Sequence, residues 1–113
     1  MKVSELTGAA LDWAVAKCEG ISVEYVDDGI TRCLLMQAGS RFNPTTKWAQ
    51  GGPIIEREKL SLLLISKTGG WAARTEAYPP KYVQGDTPLI AAMRCFATSK
   101  LGDEIDVPQE LLS

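Results

Sequence analysis

The sequence predicts an α+β fold in which a small, mainly antiparallel sheet packs with two α-helices. Apolar residues recur at helical spacing near each end of the chain, while short apolar runs of strand length fill the middle. Clusters of Gly, Pro, Asn and Asp separate these runs, as turns do. The 113 residues, 45% hydrophobic and 23% charged, are typical of one domain, so we expect residues 1–113 to share a single core.

The first helix is predicted from its boundaries and its apolar stripe. Thr7 is a residue type preferred at the N-cap, and Leu6 and Leu11 have the spacing of a hydrophobic staple around that start. Gly20 is suited to end the helix in a left-handed conformation. The inward stripe consists of Leu11, Ala14, Val15 and Cys18. The residues assigned to the solvent side are Asp12, Lys17 and Glu19.

Two pairs of strands are predicted between the helices. Residues 21–25 and 30–36 favour strands, and Asp27-Asp28-Gly29 between them is typical of a hairpin turn. The strongly apolar residues 60–66 predict a central strand. We expect that strand to pair with residues 71–77 across a turn that contains two glycines.

The second helix is predicted near the end of the chain. Thr87 is suited to the N-cap, Pro88 to the first helical position and Gly102 to the end. Apolar residues cover two adjacent faces of this helix, which indicates that it is mostly buried against the sheet. Before it, Pro79 and Pro80 are expected to stop the preceding strand, because proline cannot donate to a strand ladder.

The segment between the second and third predicted strands is the main candidate for a binding site. Residues 37–53 are polar and rich in Gly, Pro, Asn and Thr, which predicts a long functional loop rather than a helix or a central strand. An aromatic ring in such a loop could stack on a planar ligand, and glycines would let backbone N–H groups approach it closely. The alternative is that Trp48 fills the core and the Gly-Gly-Pro sequence only makes a turn. The candidate ligand-binding residues are Arg41, Asn43, Trp48, Gln50, Gly51 and Gly52.

Composition and charge exclude several classes of protein. The net charge is −2 and no basic run is present, so binding to DNA or RNA is disfavoured. Three widely spaced cysteines in apolar contexts (Cys18, Cys33 and Cys95) indicate reduced thiols rather than a disulfide framework. With no histidine to complete a zinc site, we predict no metal and no cofactor. No apolar run approaches ~18 residues, which disfavours a membrane span.

Catalysis is disfavoured by the residue types present. The sequence contains no nucleophile elbow, no phosphate-binding loop and no histidine pair for a metal. Without histidine, acid–base chemistry near neutral pH would need a carboxyl or a lysine with a strongly shifted pKa. The alternating charges of residues 56–59 and the acidic residues 103–106 are interpreted as solvated surface. We therefore predict no catalytic residue.

Three separated blocks of sequence resemble a known family. They are residues 4–16, residues 48–56 and residues 87–96, the last followed by Lys100-Leu101-Gly102-Asp103-Glu104 and Val107-Pro108. Together they are similar to the NinX-like proteins of lambdoid and related tailed bacteriophages and prophages. The resemblance implies a phage accessory protein of the host cytoplasm from a family of unknown function, and it carries no catalytic residues across. Residues 21–40 depart most from the family pattern.

Three functional hypotheses remain open at the level of sequence. The first is a non-catalytic protein that binds a small polar or nucleotide-like ligand through residues 41–55, for example to sequester a host signalling nucleotide in counter-defence. The second is a protein–protein interaction module that modulates a host or phage replication or recombination factor, and it predicts an exposed apolar patch. The same surface could form a homodimer or a higher homo-oligomer. The third is an enzyme of unfamiliar type.

Overall fold

A computed structural model describes residues 1–30, 32–76 and 81–112. The helices are α1 (Gly8–Glu19), α2 (Trp48–Glu58) and α3 (Pro88–Leu101), and the strands are β1 (Val23–Asp27), β2 (Arg32–Met36), β3 (Ser61–Ile65), β4 (Gly70–Arg74) and β5 (Val83–Gly85). Short 3-10 turns lie at Val3–Glu5 and Gln109–Leu111. The α+β class is confirmed, with three α-helices in the described residues where two were predicted.

The strands form two antiparallel sheets where one was expected. Strand β1 pairs with β2 as the predicted hairpin, and the second sheet has the order β3-β4-β5. The predicted pairing of β3 with β4 is confirmed, but the prediction that β3 is central is wrong. Strand β5 adds to the far side of β4, which leaves β3 at the edge. Predictions that fall on residues 31, 77, Pro79 and Pro80 lie outside the described residues.

Helix α3 is the central element of the packing. It lies against β4 and β5 on one side and contacts α1 and α2 on others. Small residues permit this close approach: a Cβ added at Gly85 would lie only 2.5 Å from the backbone nitrogen of Ala91. The predicted start of α3 is confirmed, because the Thr87 hydroxyl oxygen accepts a hydrogen bond from the N–H of Ile90 at 3.1 Å. The side chains of Met93 and Phe96 are fully buried in the resulting core.

Helix α1 has the predicted boundaries but one wrongly assigned face. Thr7 precedes its first residue, and Gly20 ends it in the left-handed conformation with φ 69°. Asp12, which the sequence pattern placed on the solvent side, is buried together with Leu11. The reason is that α1 packs against α3 and also lies beneath the segment that leads into α2, so more than one of its faces is covered.

Helix α2 corrects the prediction of a loop over residues 37–53. The last third of that segment, residues 48–53, is helical, even though it contains two glycines and Pro53. Gly51 faces inward, where an added Cβ would lie 2.6 Å from Leu89 Cδ2 and from the carbonyl oxygen of Pro44. Pro53 lies on the exposed side, and Ile54 is buried. Packing against α3 therefore outweighs the weak helix propensity of these residues.

The beginning and the end of the described chain pair with each other. The N–H of Val3 donates to the carbonyl oxygen of Asp103 at 2.9 Å, and the N–H of Ile105 donates to that of Met1 at 3.0 Å. An antiparallel bridge joins Lys2 to Glu104 between them. Since Val3 has no exposed surface, this pairing closes one side of the core.

Candidate functional site

Trp48 is exposed at the start of α2. Its side chain is 54% exposed, so the alternative in which it fills the core is wrong. The indole lies beside Gly52, one helical turn later, where an added Cβ would meet Trp48 Cε3 at 4.0 Å. Ala49 and Pro53 lie on the same outer side and are exposed as well. We call Trp48, Ala49, Gly52 and Pro53 the Trp48 surface.

Gln50 and Asn43 are brought together, but their polar groups bond within the protein. The Gln50 amide oxygen accepts from the backbone N–H of Asn43 at 2.7 Å, and its amide nitrogen donates to the carbonyl oxygen of Arg41 at 2.7 Å. The Asn43 amide nitrogen donates to the Thr46 hydroxyl at 3.0 Å. Asn43 Oδ1 is buried and has no hydrogen-bond partner among the described residues. The Gln50 side chain therefore holds the backbone that precedes α2.

The two remaining candidates differ in exposure. The Arg41 side chain is exposed, while its backbone forms an antiparallel bridge to Leu35 beside β2. The next residue, Phe42, is buried and donates its N–H to the carbonyl oxygen of Leu34 at 2.8 Å. Gly51 is buried against Leu89, so its lack of a side chain serves helix packing rather than access by a ligand.

Asp12 is a buried carboxyl group that the sequence pattern missed. Its Oδ1 accepts from the backbone N–H of Thr45 at 3.0 Å, and both residues are buried. Burial raises the pKa of Asp12 to about 6, while the hydrogen bonds from Thr45 act in the opposite direction. The available signal was the run of small residues around α1, notably Ala10, Ala14 and Ala16, which is typical of a helix covered on several sides.

The role of Asp12 follows from its partner. Thr45 belongs to the turn at residues 44–46, which leads into α2. Such a shifted carboxyl is what an enzyme without histidine would need. This one, however, is buried and its oxygen is bonded within the protein, so its position serves to hold the turn against α1.

Charged side chains join the C-terminal ends of the three helices. The Arg57 guanidinium forms a bidentate salt bridge with the Glu19 carboxylate. Its Nη1 donates to Oε2 at 3.1 Å, and its Nη2 donates to Oε1. Arg57 Nε also donates to Glu58 at 2.9 Å, which lowers the pKa of that carboxyl. Lys100 Nζ lies 3.3 Å from Glu58 Oε1. Two of the charges of residues 56–59, which were expected to be a solvated edge, thus connect α1, α2 and α3: Arg57 and Glu58.

A groove lies at the N-terminal end of α1, and no residue of the Trp48 surface lines it. That groove, of about 310 Å³, lies between the start of α1, the β1–β2 hairpin and the C-terminal 3-10 turn. Its lining includes Thr7, Tyr25, Arg32 and Leu111. Within the described ranges, no cluster of three or more Cys, Asp or Glu side chains is placed to hold a metal ion.

The cysteines are free thiols, as predicted. Cys95 is buried, and burial raises its pKa to about 11. Burial and the neighbouring charge of Glu19 raise the pKa of Cys18 to about 11. Both thiols are therefore protonated near neutral pH, which makes them poor nucleophiles.

Comparison with known proteins gives a family match over most of the chain. The family model described as "Bacteriophage P22, NinX" matches residues 2–100, a span that contains α1, α2, the five described strands and all of α3 except its last residue. No curated protein matches the chain. Each helix in the described ranges is too short or too polar to span a lipid bilayer.

Proposed function

Since the chain belongs to the bacteriophage P22 NinX family, we propose that it is a non-catalytic phage accessory protein of the host cytoplasm. We further propose that it binds a protein partner through the Trp48 surface. The observation that carries the proposal is the exposure of Trp48 on a helix whose other side is buried. Tryptophan is enriched among the residues that contribute most to binding at protein interfaces.

The position of Trp48 is fixed from several directions, which favours binding. Gly51 and Ile54 hold the inner side of α2 against the core, and the Gln50 amide holds the backbone before it. The buried hydrogen bond between Asp12 and Thr45 anchors the preceding turn. A side chain presented on a rigid element loses less conformational entropy on binding, so more of its contact energy appears as affinity.

A protein partner accounts for this geometry better than the small ligand predicted first from the sequence. That ligand would need Asn43 and Gln50 to recognise polar edges, whereas the Gln50 amide is already bonded to backbone groups. On the outer side of α2 the indole is surrounded by the small residues Ala49, Gly52 and Pro53. Another protein surface could therefore pack closely around the indole. The nucleotide-like ligand stays the second candidate because Arg41 and Trp48 are both exposed.

The proposal is tested by affinity capture from lysates of phage-infected cells. Wild-type protein, Trp48→Ala and Tyr82→Ala are compared, since Tyr82 is another exposed aromatic residue and lies outside the Trp48 surface. We expect a specific partner that the Trp48→Ala variant recovers at least tenfold less well and that the Tyr82→Ala variant recovers normally. Equal recovery by all three proteins would contradict the proposal.

Calorimetric titration with linear and cyclic nucleotides separates the second candidate from the first. A nucleotide that binds the wild-type protein but not the Trp48→Ala variant would establish the small-ligand function. Absence of binding across the panel would remove that candidate and leave the protein partner.

A further inference from the structure

Strand β3 forms a sheet edge that lacks the features by which proteins usually protect such edges. Among the strands that the structure describes, it pairs only with β4, and its register with β4 runs residue by residue from Ser61 to Ile65 without a bulge. The strand contains no proline and no charged residue. Native edge strands usually carry one of these features, because alternate N–H and C=O groups otherwise point outward and can pair with another strand.

The exposed side chains of β3 lie on both faces of the sheet. Leu63 is 47% exposed and Leu64 is 60% exposed. Consecutive residues of a strand point to opposite faces, so a strand added at this edge could contact one leucine on each face. Leu63 is paired with Ala72, whose small side chain covers little of the leucine side chain. The edge therefore offers backbone hydrogen bonds together with apolar contacts.

Positively charged side chains flank this edge. Lys59 precedes the strand and Lys67 follows it, and both are exposed. Arg74 of β4 is paired with Ser61 at the start of the strand. In the part of the chain that the structure describes, no carboxylate lies within 4.0 Å of any of these three cations. An incoming strand would thus meet, at each end of β3, a lysine that forms no ion pair with a described residue.

We propose that the free edge of β3 binds an extended segment of a partner protein, a short apolar strand flanked by carboxylates, as an added strand of the sheet. Main-chain hydrogen bonds supply affinity in this mode of recognition, and the flanking charges supply the choice of partner. The site is separate from the Trp48 surface, so the two proposals stand or fall independently.

Charge also argues against a second copy of this chain at the same edge. In a two-fold antiparallel pairing centred on Leu63, the Lys59 of each copy would lie opposite the Lys67 of the other. Like charges placed opposite each other across a strand pair are destabilising. A segment with Asp or Glu at its ends replaces this repulsion with attraction.

The test uses a fluorescent peptide in which valine and threonine alternate and two glutamates stand at each end. Fluorescence anisotropy is measured with the full-length protein, and we expect saturable binding that weakens as salt is added. The double variant Lys59→Glu with Lys67→Glu should bind this peptide about tenfold more weakly. It should also bind a peptide flanked by lysines more tightly, which shows that the variant is folded.

Matched controls separate strand pairing from simple attraction. The variant Lys17→Glu carries a charge reversal on α1 and should bind the glutamate-flanked peptide like the wild type, as should Trp48→Ala. A peptide N-methylated at every central residue cannot donate backbone hydrogen bonds and should not bind. Equal binding of the methylated peptide, or no effect of the double reversal, would overturn the proposal. So would sedimentation of the free protein as a dimer that Leu63→Lys dissociates.

Discussion

The Asp12 carboxyl shows how one buried residue makes stability depend on pH. Burial favours its neutral form, and its pKa in the folded protein is about 6 against 3.8 for the unfolded reference. The folded state therefore binds more protons than the unfolded state between these values. Its contribution to stability is complete below about pH 4 and is lost as the pH rises through about 6.

We expect the Asp12→Asn variant to remove this dependence. The amide oxygen can still accept from Thr45, and no charge has to be buried at pH 8. The variant should then be more stable than the wild type by about 3 kcal/mol at pH 8 and similar to it at pH 4. Urea unfolding at pH 4, 6 and 8 measures the difference. A gain in wild-type stability relative to the variant as the pH rises would contradict this reading.

Lys59 offers a second prediction at the scale of one residue. It ends α2 in the left-handed conformation with φ 54°. No other non-glycine residue in the described ranges has a positive φ. Since this conformation costs an L-residue roughly 1–2 kcal/mol, Lys59→Gly should stabilise the protein by about 0.5 kcal/mol or more. Thermal unfolding measures the shift. Lys67→Gly, at a turn residue without positive φ, is the control and should give no such gain.

At the scale of elements, α2 shows why part of the site could not be predicted. Gly20, Thr87 and Pro88 act through local backbone chemistry, so the end of α1 and the start of α3 were predictable from sequence. Thr7 stands at the predicted N-cap of α1, although its side chain makes no capping hydrogen bond. Gly51 instead enters a helix because its neighbours in space leave no room for a side chain. No local pattern shows that contact. The residue list of the candidate site therefore included Gln50 and Gly51, whose roles the structure explains by packing and backbone bonding.

The two glycines of α2 provide a matched pair of substitutions. We expect Gly51→Ala to destabilise the protein by about 2 kcal/mol, because its Cβ would lie 2.6 Å from Leu89 Cδ2. The Cβ of Gly52→Ala would meet only Trp48 Cε3 at 4.0 Å, so the higher helix propensity of alanine should stabilise the protein by about 0.5 kcal/mol. Chemical denaturation of both variants checks the opposite signs. Changes of equal sign would show that α2 is packed differently.

At the scale of the whole molecule, Arg94 connects parts of the chain that are distant in sequence. Its Nε donates to the carbonyl oxygen of Leu6 at 2.8 Å, and its Nη1 donates to that of Gln84 at 2.9 Å. The central helix thereby holds both the N-terminal segment and strand β5. Arg94 was visible in the sequence as a charge within a largely apolar helix, but its two acceptors are backbone atoms that no sequence pattern marks.

We expect Arg94→Lys to destabilise the protein by about 2 kcal/mol despite the retained charge. A lysine ammonium cannot reproduce the forked geometry that reaches both carbonyl groups, and hydrogen bonds from a charged donor contribute more than neutral ones. Arg74→Lys is the control, and its effect on the free energy of unfolding should stay within about 0.5 kcal/mol. An Arg94→Lys variant as stable as the wild type would show that the two bonds contribute little.

The pairing of residues 1–3 with residues 103–105 has a consequence for synthesis on the ribosome. Val3 is fully buried, yet its hydrogen-bond partner Asp103 is made 100 residues later. Contacts of such high sequence separation form only after the intervening chain is present. The side chain of Val3 must therefore stay uncovered until residues 103–105 have been made. This side of the core closes only when those residues have left the ribosome.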